Sequence, residues 1–389
     1  MMLKRLSGIF ISFLIATTAH AQGTIPKAAE ADSVAPASRK GLVNRVIDYF
    51  SSSNKTRTDK KFDFSILGGP HYSSDSKFGV GIVAAGVYNT DPADSAWLRP
   101  SNVSIYGDAT TAAHFKLGVR GVNIWPGDTR RLTYDLAFHS IQTNYWGIGY
   151  DQCSDDENES KYRYLSAEVK ASLTWRLADH FYVGPLLAFN YVNGRHFEPP
   201  TLWRGLPDNT VSWGPGISFS YDSRDCITAP ARGVNVKLDQ WFALRPLGCT
   251  ATFSVNEFQA SWYGPLWRDA VLATLMHWRL TWGRTPWTEL SQIGGSDNMR
   301  GYFEGRYRDK NEVDLCVELR QHVWRRNSLA LWVGAASLFP GFDDIDLRQV
   351  LPNYGIGYRW EFKKRMNVRI DLGFGRHQTG FIFNINEAF

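Results

Sequence analysis

Glu312-Val313-Asp314-Leu315-Cys316-Val317-Glu318-Leu319-Arg320-Gln321-His322-Val323-Trp324 alternates over most of its length. Val313, Leu315, Val317 and Leu319 fall on one face, and Asp314, Cys316, Glu318, Arg320 and His322 on the other. A period of two is the mark of an extended strand, whose side chains point alternately to opposite sides. Met366 to Phe374 repeats it, with Met366, Val368, Ile370, Leu372 and Phe374 against Asn367, Arg369, Asp371 and Gly373. Such runs are about 9–13 residues long, longer than most strands of a soluble sandwich and matched to a tilted strand that crosses a bilayer.

Working outward, the same alternation marks about sixteen strands, an even number as bacterial barrels require. They are expected to begin near Asp63, Lys77, Arg99, Ala113, Arg130, Lys161, His180, Thr210, Gly233, Thr252, Val271, Glu312, Asn327, Pro352, Arg365 and Thr379. If the chain starts in the periplasm, the extracellular connections include Gln142–Ser160, Gly194–Asn209, Gly283–Asn311 and Phe339–Leu351. The periplasmic ones include Pro126-Gly127-Asp128, Ala178-Asp179, Trp267-Arg268-Asp269 and Lys363-Lys364. Long loops outside and tight turns inside are the asymmetry of outer-membrane barrels, and a miscount by one strand would scramble it. The expected fold is therefore all-β, a transmembrane antiparallel barrel whose sixth extracellular loop is long. Closure leaves no unpaired strand edge in lipid.

Composition agrees. Mean hydropathy is −0.30, which alternating strands produce by averaging. Aromatic residues make up 14% of the chain, enough to furnish two interfacial girdles. A net charge of +5 without a basic block gives no footprint for nucleic acid. No HExxH or GxSxG motif is present, and His139, His196, His277 and His377 have no Ser or acid constellation visible in the sequence, so an enzyme is not expected. Cys153, Cys226, Cys249 and Cys316 lack CxxC spacing and a nearby His pair, so neither a metal site nor a cofactor is expected. The strand assignment allows only Cys153 with Cys249 as a disulfide; free thiols are the alternative.

At the N-terminus, Lys4 and Arg5, the apolar run Leu6–Ala16 and Ala19-His20-Ala21 read as a secretory signal over residues 1–21. Residues 22–61, with Pro26, Pro36 and many Ala and Ser, read as a periplasmic lead-in. Leu42, Val43, Val46, Ile47 and Phe50 give it a short amphipathic helix that rests on a membrane or barrel surface or plugs the periplasmic mouth. The barrel is expected over 62–389. Its last strand alternates Phe381, Phe383 and Ile385 with Ile382 and Asn384 and is followed by a terminal Phe389, a pattern similar to the assembly signal of outer-membrane barrels.

Three further segments resemble the BamA/TamA family of the bacterial surface-antigen superfamily. Gly294-Gly295-Ser296-Asp297-Asn298-Met299-Arg300-Gly301-Tyr302 is similar to that family's sixth-loop motif, whose Arg-Gly-aromatic tip folds into the lumen. Asp222, Arg224 and Asp225, with Pro230 and Gly233, are similar to its strand–turn–strand signature, and Glu318-Leu319-Arg320 matches on the twelfth strand. Gly294, Gly295 and Gly301 suit the tight backbone of an inward-folding loop. Arg300, once inside, needs carboxylates, and Glu318 and Asp371 stand on lumen-facing parities. Tyr302 is expected to pack on the wall with its hydroxyl satisfied. The family's usual Asp on the thirteenth strand is replaced here by Gly334, with Asp371 available to compensate.

The resemblance implies an outer-membrane localisation and the barrel-assembly machinery as a partner during biogenesis. It also implies contact with outer-membrane lipids and lipopolysaccharide, and a role in inserting or transporting client membrane proteins or lipids. Family members carry periplasmic POTRA domains, and residues 23–61 are too few for one, so a short member without them is expected. Gly68, Gly69 and Pro70 either weaken pairing at the seam between first and last strands or simply end the first strand at the rim. The alternative function is a passive pore or structural barrel plugged by the sixth loop, with Glu168, Lys170, Lys237, Asp239, Arg279 and Arg359 along its lumen.

Overall fold

Alternating strands satisfy their backbone groups by pairing in sequence order, and the computed structural model shows that succession. It describes residues 62–73, 77–90, 101–199, 202, 206–363, 366–385 and 387–389; the expected signal segment and lead-in helix lie outside them. The strands are β1 (Phe62–Ser73), β2 (Lys77–Tyr88), β3 (Ser101–Thr110), β4 (Phe115–Ile124), β5 (Arg130–Tyr145), β6 (Ser160–Ala178), β7 (Phe181–Arg195), β8 (Asn209–Asp222) and β9 (Gly233–Ala243). Then come β10 (Phe253–Pro265), β11 (Ala270–Gly283), the two-residue β12 (Ser291–Gln292) and β13 (Arg308–Asp309), and β14 (Asn311–Trp324). The last are β15 (Asn327–Phe339), β16 (Leu351–Lys363), β17 (Met366–Gly375) and β18 (Gln378–Ile385). β12 and β13 form a small ribbon of their own, and the other sixteen make one antiparallel barrel sheet. Each of the sixteen begins within two residues of its expected start.

The sheet is apolar outside and polar inside. On β14, Asp314, Cys316, Glu318 and Arg320 are buried, whereas Leu315 and Val317 are exposed. Ile82, Ile105, Leu117, Leu187, Leu331, Val333 and Ile356 extend the exposed apolar band around the wall. So large an apolar surface is an interaction surface for lipid, not water. Exposed Trp175, Trp262, Trp267 and Trp324 lie near the tight-turn end, and Phe78, Phe115, Phe242 and Trp282 near the loop end, the two aromatic girdles of a membrane barrel.

At one end, Asp179 and His180 join β6 to β7, and Arg325 and Arg326 join β14 to β15. At the other, the β5–β6 connection holds a helical turn, α1 (Tyr150–Ser154), and residues 284–310 connect β11 to β14. Among the described residues the joint with the fewest registered pairs is where the first strand meets the last. Among the described residues β1 and β18 share one registered pair, Ser73↔Ile382, while β1 and β2 are registered from Phe62↔Tyr88 to Ser73↔Lys77. Gly68, Gly69 and Pro70 pair with Ile82, Gly81 and Val80 inside β1, which corrects the expectation that they end the strand. Pro70 adds no N–H to the poorly paired edge. All four cysteines are free thiols. Cys153 packs with Trp146 and Tyr307, and Cys249 in a separate cluster with Trp241 and Phe253, so of the two alternatives the free thiols hold and the Cys153–Cys249 pair does not form.

Candidate functional site: the filled lumen

Residues 284–310 enter the barrel because their apolar side chains find an apolar lining there. Ile293, Met299, Tyr302 and Tyr307 are buried against Trp146 and Cys153 of the β5–β6 connection and Ala336, Leu338 and Leu351 of the wall. The ribbon is tied by Ile293 N–H to Tyr307 O at 3.0 Å and Gly305 N–H to Ile293 O at 3.1 Å. Gly294 has φ of 113° and a Cβ there would meet Tyr302 O at 2.8 Å, so the turn into the lumen needs glycine. The Tyr302 hydroxyl donates to Pro352 O at 2.6 Å and accepts from Arg376 N–H at 2.7 Å. Its burial pushes its pKa up to about 12, so it remains a donor at any physiological pH.

The loop tip carries Arg300 to a cluster of buried charges. Arg300 donates to Asp371 Oδ2 at 2.7 Å and to Glu318 Oε2 at 2.5 Å. Its guanidinium lies 3.8 Å over the Trp332 ring, and its carbonyl accepts from Asn353 Nδ2. The structure thus brings Arg300 together with both sequence-proposed carboxylates. Asp371, from β17, and Asn353, from β16, hold the tip at the wall where β15 offers only Gly334. The tip itself rests on a groove of glycines: a Cβ on Gly301 would lie 2.7 Å from Gly373 C, and one on Gly380 would lie 2.9 Å from Gly301 Cα. Gly373 and Gly380 are registered partners on β17 and β18, so the loop tip presses on the two strands that lead to the seam.

More arginines join than the sequence indicated. Arg359 donates to Asp371 Oδ1 at 2.5 Å and Glu387 Oε2 at 2.8 Å, Arg320 to Glu318 Oε1 at 2.6 Å, and Arg369 to Asp297 Oδ1 at 2.9 Å. Four arginines thereby face Glu318, Asp371, Glu387 and Asp297 in balance, as buried ions require. Two of those acids come from outside the barrel strands: Asp297 from the loop, Glu387 from the chain beyond β18.

That last segment departs from the outer strand. Phe383 is exposed on the wall as expected for β18, but β18 ends at Ile385. A main-chain oxygen of Phe389 accepts from Arg320 at 2.9 Å, and its ring packs against Leu275, Cys316 and Trp332 in the lumen. The terminal Phe389 thus lies in the lumen and not on the wall with Phe383: Arg320 and Arg359 draw Glu387, and with it Phe389, inward. Burial pushes the Glu387 carboxyl up, yet these two guanidiniums outweigh it and hold its pKa below the ordinary glutamate value. A depressed carboxylate contributes stability that is present above its unfolded pKa and lost as pH falls through the folded one. The tail is thus expected to stay docked at neutral pH and to detach below the usual glutamate range of about 4. A fluorophore at position 388 should lose anisotropy only below that range, and a loss beginning near neutral pH would count against the Glu387 anchor.

The strand–turn signature sits at the same mouth. Asp222 accepts from Arg224 Nε at 2.9 Å and Nη2 at 3.1 Å, and Asp225 Oδ1 accepts from Ala231 N–H at 2.9 Å and Arg232 N–H at 3.2 Å. Pro230 is buried, and Gly233 has φ of 109° at the start of β9. Arg224 and Phe389 border a cavity of about 230 Å³ together with Tyr263 and Gln259. The lumen is otherwise crossed by ion pairs: Lys170 and Lys237 lie 2.7 and 3.1 Å from Asp239, and Arg279 lies 2.9 Å from Glu289.

The model of the Omp85 superfamily domain matches residues 100–387. The chain belongs to the Omp85 superfamily. No curated protein sequence matches it. Among solved structures, BamA from Haemophilus ducreyi lacking POTRA domains 1–3 is similar at 14% identity and a TM-score of 0.56, over 83% of this chain and 70% of that one. CdiB from Acinetobacter baumannii is similar at 12% identity and a TM-score of 0.53, over 84% of this chain and 60% of that one. CdiB from Escherichia coli gives 10% identity and a TM-score of 0.54, over 84% and 63%. The chain thus spans under two thirds of the CdiB chains, and at these identities the likeness is one of fold. As an Omp85 barrel it is a bacterial outer-membrane protein of an insertase- and translocase-like family, in contact with outer-membrane proteins and lipids.

Proposed function

We propose that this Omp85 barrel assists the insertion or transport of outer-membrane proteins or lipids through the seam between β1 and β18. The observation that carries the reading is the seam itself, joined among the described residues by the one pair Ser73↔Ile382 where the other neighbouring strands of the barrel share seven or more. An edge with unmet N–H and C=O groups can accept a strand of a client or disturb the lipid beside it. The loop tip on Gly373 and Gly380 supports the same reading, because it braces the β18 side of the joint from within. A lumen occupied by the loop, the tail and their ion pairs favours action at the wall over conduction. The BamA/TamA-type partners, namely the barrel-assembly machinery during biogenesis, lipopolysaccharide and client proteins or lipids, belong to this proposal.

Cysteines at positions 73 and 382, in a background with the four native cysteines replaced, test it. Oxidation is expected to abolish the barrel's contribution to outer-membrane protein or lipid content in cells, and reduction to restore it. Full function with the seam locked would sink lateral opening.

A further inference from the structure

One cluster in the lumen takes no part in holding the loop tip or the seam. Midway around the wall, Lys170, Lys237 and Arg279 are shared out among Asp239, Glu257 and Glu289, with Lys170 to Glu257 at 2.8 Å and Arg279 to Glu257 at 4.0 Å. Next to them stand Glu312 and Asp314, which are 4% and 1% exposed. Among the described residues no Lys or Arg makes an ion pair with either. Their companion is His277, whose Nδ1 lies 2.5 Å from Asp314 Oδ2. The other oxygen, Asp314 Oδ1, is buried without any hydrogen-bond partner. One ligand atom from each of His277, Glu312 and Asp314 lies within 4.8 Å of the others.

We propose that His277, Glu312 and Asp314 form a binding site for a divalent transition cation of the Zn²⁺ class, at the foot of the inward-folded loop. Two buried carboxylates share His277 as their one ion-paired base among the described residues, and Asp314 Oδ1 is left with no donor; a buried carboxylate oxygen without a partner costs several kcal/mol, which a bound cation would offset. The donor set names the cation. An imidazole nitrogen with two carboxylate oxygens suits Zn²⁺ and its first-row neighbours, held at about 2.0–2.2 Å. Ca²⁺ would need six or more oxygens, and Mg²⁺ a near-octahedral oxygen shell with several waters. The register supplies the geometry, because His277 on β11 is the direct partner of Asp314 on β14, and Arg279 is the partner of Glu312. The cation takes the place of the proton that His277 Nδ1 and Asp314 Oδ2 share, and that proton passes to solvent. Asp314 Oδ1 and the Glu312 carboxylate, neither of them in an ion pair with a Lys or Arg among the described residues, complete the protein ligands, and water fills the remaining position. Glu312 follows directly on the loop's return through β13 and Asn311, so an occupied site fastens the foot of the loop to the wall.

The test uses the full-length, untagged barrel in detergent, stripped with EDTA and titrated with Zn²⁺ and with Co²⁺. One Zn²⁺ should bind per chain with release of a proton, read as a dependence of the calorimetric heat on buffer ionisation enthalpy. Co²⁺ should develop visible ligand-field absorption, and excess Ca²⁺ should not displace it. Asp314→Asn and His277→Gln should each weaken binding by more than the about 10–100-fold that loss of an outer partner costs. His139→Gln, at a lumen histidine 3.7 Å from Glu168, should leave it intact. Should a variant fail to fold, as judged by loss of heat-modifiable migration, Glu312→Gln and the wild-type Co²⁺ spectrum decide the matter. No Zn²⁺ uptake by the wild type, or uptake that survives Asp314→Asn and His277→Gln, overturns the proposal.

Discussion

Glu318→Ala is expected to cost the barrel about 3–5 kcal/mol, the usual penalty for removing one partner of a buried ion pair. The Glu318 side chain is fully buried and receives Arg300 at 2.5 Å and Arg320 at 2.6 Å, with Arg359 at 3.6 Å. Removing its charge leaves three guanidiniums around an empty position. Asp371 and Glu387 then have to serve them from the far sides. Urea unfolding in detergent, followed by heat-modifiable migration, would measure the loss. Glu318→Gln keeps the volume and an acceptor, so it should fall between wild type and Glu318→Ala. Because Arg300 and Glu318 share one network, the double variant Arg300→Ala/Glu318→Ala should lose less than the sum of the two single losses. A Glu318→Ala barrel within about 1 kcal/mol of wild type would show that the network does not hold the lumen together.

The parity of Glu318 and Asp371 was legible because alternation assigns every second residue to the lumen, and counting strands placed both near the loop. Alternation says which side a residue faces, not at what height along the barrel axis it stands. For that reason Arg320, Arg359 and Arg369 could be placed inside but not assigned partners. Arg359 meets Asp371 because β16 and β17 are registered with Gly357 opposite Asp371, and such a register is set by two turns at once. Gly373 and Gly380 read as ordinary strand glycines; only the loop tip lying between them reveals why a side chain is missing there. The course of the tail was not legible for a related reason. Phe381 and Phe383 continue a lipid-facing period, and nothing in that period announces its end, yet the acidic Glu387 beyond it was a signal that the segment seeks the arginines of the lumen. The His277, Glu312 and Asp314 cluster was hidden most thoroughly. Its members are separated by the whole inward-folded loop, so no local spacing of the kind that marks a metal site exists.

Gly301→Val is expected to be as damaging as any change to the charges, although it removes none of them. Gly301 has φ of 123°, and a Cβ there would lie 2.7 Å from Gly373 C and 2.8 Å from Phe374 N. Both obstacles are backbone of β17, which cannot yield without breaking its ladder to β16 and β18. The strain of a branched residue in that conformation adds about 1–3 kcal/mol. The tip must therefore lift, and Arg300 is its immediate neighbour, so the contacts to Glu318 and Asp371 are lost with it. The result should match Arg300→Ala or exceed it, at about 3–5 kcal/mol, and should expose the loop to added protease. Gly295→Ala is the informative contrast. Gly295 also has a positive φ, 106°, but its nearest neighbour is the Glu304 side chain at 3.7 Å, so only backbone strain should appear and the loop should stay protected. If Gly301→Val left protection unchanged and Gly295→Ala destroyed it, the close seat of the tip on β17 and β18 would not be what holds the loop inside.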